Sequence, residues 1–298
     1  MASERGSRVS GIAWAITAGI GFGLFQAVNR RANQGIDAYR ATFGLLLVGT
    51  IGLVIVSVAT QDLGRLADTP VSSYLYFSAA GFIHFFLGWT LLALGQQKDG
   101  ANRTGATVAA VPLVATLLAA LFLDEPLTLA VAGAVVLVVT GMVVLSLRGG
   151  TGEGSFSVPW FGIASATTWG TSPLFIRWGL EGLDAPLLGV TVGLAAATLA
   201  YAVALTVTGR WSGDPIPMGK ALWLALAGVL VAIAISAQWT SYNFIEIATA
   251  VTLMQLSAPT VILTAPLIVG FEHERITLPL VLGTGLVMAG SILVILVG

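Results

Sequence analysis

Apolar residues run along this chain in long unbroken stretches separated by short polar clusters. The stretches lie at about 9–29, 38–59, 71–94, 101–123, 127–147, 158–178, 185–208, 219–244, 248–270 and 277–297. Each is near the roughly 20 residues that an α-helix needs to cross the hydrocarbon core of a bilayer. Charges gather between them, as at Arg30, Arg31 and Asp37, or at Asp62, Arg65 and Asp68. Strands of a membrane barrel would alternate apolar and polar positions. These stretches are uniformly apolar, so the pattern predicts an all-α membrane protein of ten transmembrane helices. Short loops make consecutive helices antiparallel neighbours. The first stretch follows Arg5 and Arg8 like the core of a signal peptide. It is too long for one and is read as a retained first span.

The pattern repeats. Gly11-Ile12-Ala13 and Gly19 match Gly162-Ile163-Ala164 and Gly170 at an offset of 151, and Trp89-Thr90 matches Trp239-Thr240 at 150. Asp124 to Thr128 matches His273 to Thr277, and Gly141 matches Gly290, both at 149. The Gly/Ser-rich stretch around 148–157 is a linker. It separates a first five-helix half, 9–147, from a second, 158–297. Five is odd, so the second half is inverted in the membrane relative to the first. Many secondary transporters have that architecture.

Composition sharpens this reading. Hydrophobic residues make up 56% of the chain and charged residues 9%. A soluble domain carries roughly 25% charged residues. The net charge of -1 argues against a nucleic-acid partner. There is no cysteine, which removes disulfides, thiolate metal sites and thiol nucleophiles. With only two His residues, far apart, a histidine-rich metal site is excluded within one chain. No phosphate-cradling Gly-Lys-Thr and no His-Glu-x-x-His occurs, so neither a cofactor, a resident metal nor an enzyme is expected.

The chain resembles the EamA-type members of the drug/metabolite transporter superfamily over nearly its whole length. Each half carries a Pro, an apolar run and a Glu before its last span: Val111-Pro112-Leu113 with Asp124-Glu125-Pro126-Leu127-Thr128, and Ala258-Pro259 with Glu274-Arg275-Ile276-Thr277. Asp124 and His273 stand where that family usually has Gly before the Glu. The resemblance implies transport of amino acids, other metabolites, sugar conjugates or drugs. The first span lacks the acidic residue that small multidrug exporters of the superfamily use there, which argues against drug-cation export by their mechanism.

Several residues are candidates for function. Gly19, Gly21 and Gly23 in the first span sit at the height of Gly170, Thr171, Ser172 and Pro173 in the sixth. Interruptions at matching positions of two halves point to a central binding site. Small residues also serve close helix packing, and the two roles are compatible. His84 lies mid-span in the third stretch, where an ionisable group is a functional hypothesis by default. It suits proton coupling or a hydrogen bond to substrate. The bland alternative is a neutral His bonded to a neighbouring helix. Gln238, Tyr242 and Glu246 follow each other at four-residue spacing, with Gln255 on the next span. They line a cavity, or form an interfacial belt with Glu246 in the loop. Arg177 is expected to snorkel to the interface. Glu125, Pro112, Pro173, Pro259 and Glu274 are read as gate or structural residues.

The expectation is a secondary transporter, an exporter of small metabolites such as amino acids, working by alternating access. Gly21, Gly23, His84, Ser172, Gln238, Tyr242 and Gln255 surround its site. Its partners are a small-molecule substrate, the lipid bilayer of a cytoplasmic membrane and protons as candidate coupling ion. Monomer and homodimer are both left open. The rival readings are a non-transporting scaffold or sensor, and a membrane-embedded enzyme. The resemblance implies cytoplasmic termini. Lys/Arg counting favours the opposite orientation, with four such residues on the side of the termini and nine on the other.

Overall fold

The computed structural model describes residues 2–99, 104, 107–146, 159–212, 214–269 and 278–297. Among these residues there is no strand. The helices, in chain order, are α1 (Ala2–Ala32), α2 (Ala38–Thr60), α3 (Gly64–Ala67), α4 (Val71–Gly81), a π-helical turn (Phe82–Gly88), α5 (Trp89–Asp99), α6 (Val111–Phe122) and α7 (Leu129–Ser146). Then come α8 (Trp160–Gly182), α9 (Pro186–Val207), α10 (Met218–Ser241), α11 (Ile247–Met254), α12 (Ser257–Val269) and α13 (Leu278–Val297). Among the described residues, six helical stretches are long and apolar enough to cross a membrane, and three shorter apolar helices accompany them. The helix α8 is not among the six. Its many Gly, Ser and Thr residues and Arg177 lower its hydropathy.

Helix neighbours come in matched pairs. The helix α1 lies along α10 and along α11–α12, while α8 lies along α4–α5 and along α6. The helix α2 packs on α10, and α9 packs on α4; α2 also meets α9, and α7 meets α13. The last crossing is reciprocal in detail. A Cβ at Gly141 would lie 2.7 Å from the Gly283 carbonyl and 2.9 Å from Val287, and one at Gly290 would lie 2.7 Å from both the Ala134 carbonyl and Val138. Each of these residues has its counterpart 149 positions away. Small residues let the two backbones touch.

The helix breaks do not fall in the first and sixth stretches. Both α1 and α8 run through their glycines, and α8 runs through Pro173. The reason is that glycine keeps its N–H and continues the ladder at a modest cost. The breaks fall in the fourth and ninth stretches. There the chain turns at Ala109–Ala110, two residues before Pro112, and at Gln255–Leu256, just before Pro259. Pro259 cannot donate to the Gln255 carbonyl four residues back. The Ala258 amide takes that carbonyl instead (3.0 Å), three residues on, which tightens the turn. Pro112 sits in the first turn of α6, where a missing N–H costs nothing.

Candidate functional site

The third stretch is expected as one helix, but its middle is the π-turn Phe82–Gly88. A π-turn widens the helix and disturbs its hydrogen-bond ladder, and such turns cluster at functional sites. In a bilayer every backbone group needs a partner. Three carbonyls of this turn accept from side chains on neighbouring helices. Trp169 Nε1 donates to the His84 carbonyl (2.9 Å), Ser165 Oγ to that of Gly88 (3.0 Å) and the Tyr201 hydroxyl to that of Phe85 (3.3 Å). The helices α8 and α9 thus hold the turn open.

At its centre His84 Nδ1 lies 2.8 Å from Ser172 Oγ, so two of the expected site residues meet. Ser172 Oγ also lies 3.1 Å from the Trp169 carbonyl. Pro173 has no N–H for that carbonyl, so the serine hydroxyl takes it. Ser172 has a single proton to give. Donating it to Trp169 leaves Ser172 as acceptor toward His84. The network therefore assigns the proton to His84 Nδ1 and leaves Nε2 with a free lone pair.

Aromatic rings enclose this imidazole. His84 stacks on Trp169 at 5.8 Å between centroids and tilts against Phe85 at 4.6 Å. Phe85 meets Trp89 edge-on, and Trp89 stacks on Phe25 of α1 at 5.6 Å. His84 itself is half-buried, while Ser172 is fully buried. A half-open imidazole with a free lone pair, bounded by π-faces, can hydrogen-bond a solute, exchange a proton and stack on a flat or cationic group.

A second network lies at one end of the bundle. The Glu125 carboxylate accepts from the first two amides of α11, Ile247 (2.9 Å) and Ala248 (3.4 Å). It caps a helix N-terminus from another part of the chain, where negative charge is favoured. Arg177 Nη2 stands 3.6 Å from Glu125, and Arg177 Nη1 donates to the Tyr242 carbonyl. Arg177, expected to snorkel, is turned to these partners instead. Burial raises the Glu125 pKa above the usual carboxylate range, against the lowering pull of the Ile247 amide, Arg177 and the Ala248 amide. Nearby, Gln238 Nε2 donates to the Tyr242 hydroxyl (3.0 Å). Gln238 Oε1 is buried without a protein partner.

The other expected residues have neighbours of their own. Gly21 faces Ala234, where an added Cβ would be 3.0 Å from the alanine Cβ. Gly19 and Gly23 press α1 onto the broken ninth stretch, a Cβ at Gly23 falling 2.7 Å from the Ser257 carbonyl. Gln255 caps α11 at that break and is half-buried, and Pro259 is buried just beyond. Glu246 is not on the Gln238–Tyr242 helix: α10 ends at Ser241, and Glu246 precedes α11. Glu274 lies outside the described residues, as do 148–157. Trp169 and Tyr201 escape the sequence reading. The spacing of Trp169 four residues before Pro173 marks its carbonyl as orphaned, whereas nothing in the sequence singles out Tyr201.

The pattern of the EamA-like transporter family matches residues 9–147 and again 157–296. One crystal structure superposes with a TM-score of 0.77 over 96% of each chain, at 18% sequence identity, a likeness of fold alone. No curated protein matches the chain.

Proposed function

The chain belongs to the EamA-like transporter family, and on that premise we propose that it is a secondary transporter exporting small metabolites, such as amino acids, across the cytoplasmic membrane. The helices form ten spans, two inverted five-helix repeats at 9–147 and 158–297 joined by 148–157. The matched helix pairs and the reciprocal Gly141–Val287 and Gly290–Val138 crossing support that arrangement. The repeats rock about each other and expose a central site alternately to each side. His84, Ser172 and Trp169 form the polar and aromatic wall of this site. Gly23 and Gln255 shape the opposing side at the broken ninth span, with Gln238 and Tyr242 toward one end, while Gly21 packs α1 against Ala234 of α10. Glu125 is a gate residue of the same end, tying the loop before α7 to α11 and α8.

The observation that carries this reading is the His84–Ser172 pair (2.8 Å) inside a π-turn held by three side chains. A half-buried, singly partnered imidazole in an apolar bundle is costly unless it works. Protons are the coupling ion, with His84 Nε2 as the exchange site. The test is solute accumulation in proteoliposomes, screening amino acids and related metabolites with and without a pH gradient. Gradient-dependent accumulation of one class of solute, lost in His84→Ala, is the expected outcome. Accumulation that survives His84→Ala removes the residue from the mechanism, and no flux of any screened solute from folded protein counts against transport.

A further inference from the structure

At the opposite end of the bundle from Glu125, the turns before α2 and α10 enclose a basin of about 540 Å³. We propose that this basin is an oxyanion site, taking a phosphate or carboxylate group. Three cations, Arg40, Arg210 and Lys220, face two carboxylates, Asp37 and Asp214, across it. The carboxylates do not use up the cations. Asp37 Oδ1 is committed to the first amides of α2, those of Tyr39 (3.0 Å) and Arg40 (3.1 Å). Its other oxygen stands 3.6 Å from Arg210, an exposed and loose pair. Arg40 Nη1 donates to the Asp214 main-chain carbonyl (3.2 Å) and Lys220 Nζ to that of Gln34 (2.5 Å), so both are anchored by backbone. An arginine has five N–H donors and a lysine three, so each keeps donors to spare. The Arg210 guanidinium is steadied 4.8 Å over the Tyr39 ring.

The basin has a built shape. Its two turns contain the positive-φ glycines Gly35 (φ 69) and Gly209 (φ 65), a conformation that glycine supplies without strain. A Cβ at Gly35 would lie 3.3 Å from Lys220 Nζ. Pro215 and Pro217 stiffen one wall. Pro217 also precedes α10 without any side-chain cap, so the positive end of that helix dipole adds to the cations.

A comparison within the molecule gives the charge its meaning. The turns before α4 and α9 enclose the corresponding basin of the repeat, at the Glu125 end. That basin is about 200 Å³ and holds one cation, Arg65, against Asp68 and Asp184. Arg65 Nη2 donates to the Asp184 carbonyl (2.7 Å), and Asn243 donates to the Asp184 carboxylate. One basin is small, shallow and net acidic, with its one cation tied to backbone, whereas the other is larger and net cationic. Of these two corresponding basins, the one before α2 and α10 is the one that attracts anions. This holds whether or not the transport reading stands.

The ligand is an oxyanion free in water or one carried by a lipid headgroup, and one experiment separates them. Purified full-length protein in a neutral detergent is titrated with inorganic phosphate at constant ionic strength, and separately with short-chain phosphatidylglycerol and phosphatidylcholine, with unfolding temperature as readout. The variants are Arg40→Gln/Lys220→Gln, the charge-keeping Arg40→Lys, and Arg65→Gln in the twin basin. Saturable stabilisation by phosphate, weakened about tenfold or more in the double variant and kept in Arg65→Gln, is the expected result for a soluble oxyanion. The same pattern with phosphatidylglycerol alone assigns the site to a lipid headgroup. Retention of binding in Arg40→Lys shows that charge is read and the fold intact. No saturable effect of either anion, or an effect that the double variant leaves unchanged, overturns the proposal.

Discussion

The two crossings that mirror each other between the repeats carry opposite chemistry. Where the sixth stretch meets the third, Ser172 touches His84; where the first meets the eighth, Gly21 touches Ala234. Ser172 stands 151 residues after Gly21, and Ala234 stands 150 after His84, the offsets that relate the halves elsewhere. One crossing is close-packed through two small residues. The other is also close, since Gly88 beside His84 presses on the Trp169 side chain, but it adds an imidazole, a hydroxyl and stacked rings. Duplication supplies a symmetric scaffold, and the substituted residues place the polar chemistry in one of its two equivalent positions.

That contrast can be broken in several ways. The largest effect is expected from His84→Ala, which makes the polar crossing resemble its twin: gradient-driven accumulation in proteoliposomes falls to background while the protein remains folded. Gly21→Ala is expected to act the other way round. Its new methyl meets Ala234 at 3.0 Å, and overpacking of that kind costs about 1–3 kcal/mol. Unfolding in detergent should show the loss of stability, with flux per folded molecule largely kept. Ser172→Ala removes a membrane hydrogen bond of about 0.6 kcal/mol and the proton donor to Trp169. A small drop in stability and an altered pH dependence of flux are expected, and an unchanged pH profile would detach Ser172 from His84. The smallest effect concerns the other network. Because Glu125 titrates above the usual carboxylate range, its contribution to stability is full below its unfolded pKa and is lost as pH rises through its folded one. Wild type should therefore lose stability relative to Glu125→Gln across that window, and parallel profiles would show that Glu125 is not buried as described.

Much of this frame is legible in the sequence, because bilayer thickness sets span length and duplication leaves constant offsets. The pairing of His84 with Ser172 is only half legible. Each stands out alone, His84 as a mid-span ionisable group and Ser172 beside a proline, but the sequence does not say that the third and sixth stretches cross there. The position of the helix breaks is misread for a physical reason: glycines in α1 preserve the ladder, while Pro259 blocks the Gln255 carbonyl and Pro173 hands its orphaned carbonyl to Ser172. The π-turn has no sequence signature, since the residues Phe82 to Gly88 suit an α-helix equally well, and the donors that sustain it come from α8 and α9. Arg177 looks like an interfacial cation until α11 and Glu125 are brought beside it.

The central claim is that the third–sixth crossing is reached by water and solute while its twin is sealed. The chain has no cysteine, so single thiols can report on each crossing without background. The direct measurement is the rate at which a small, membrane-impermeant thiol reagent modifies His84→Cys and Ala234→Cys in purified, folded protein. His84 is half-buried and Ala234 is fully buried. Ready modification is expected at position 84 and almost none at position 234. Equal rates at the two positions, or faster modification at 234, would contradict it.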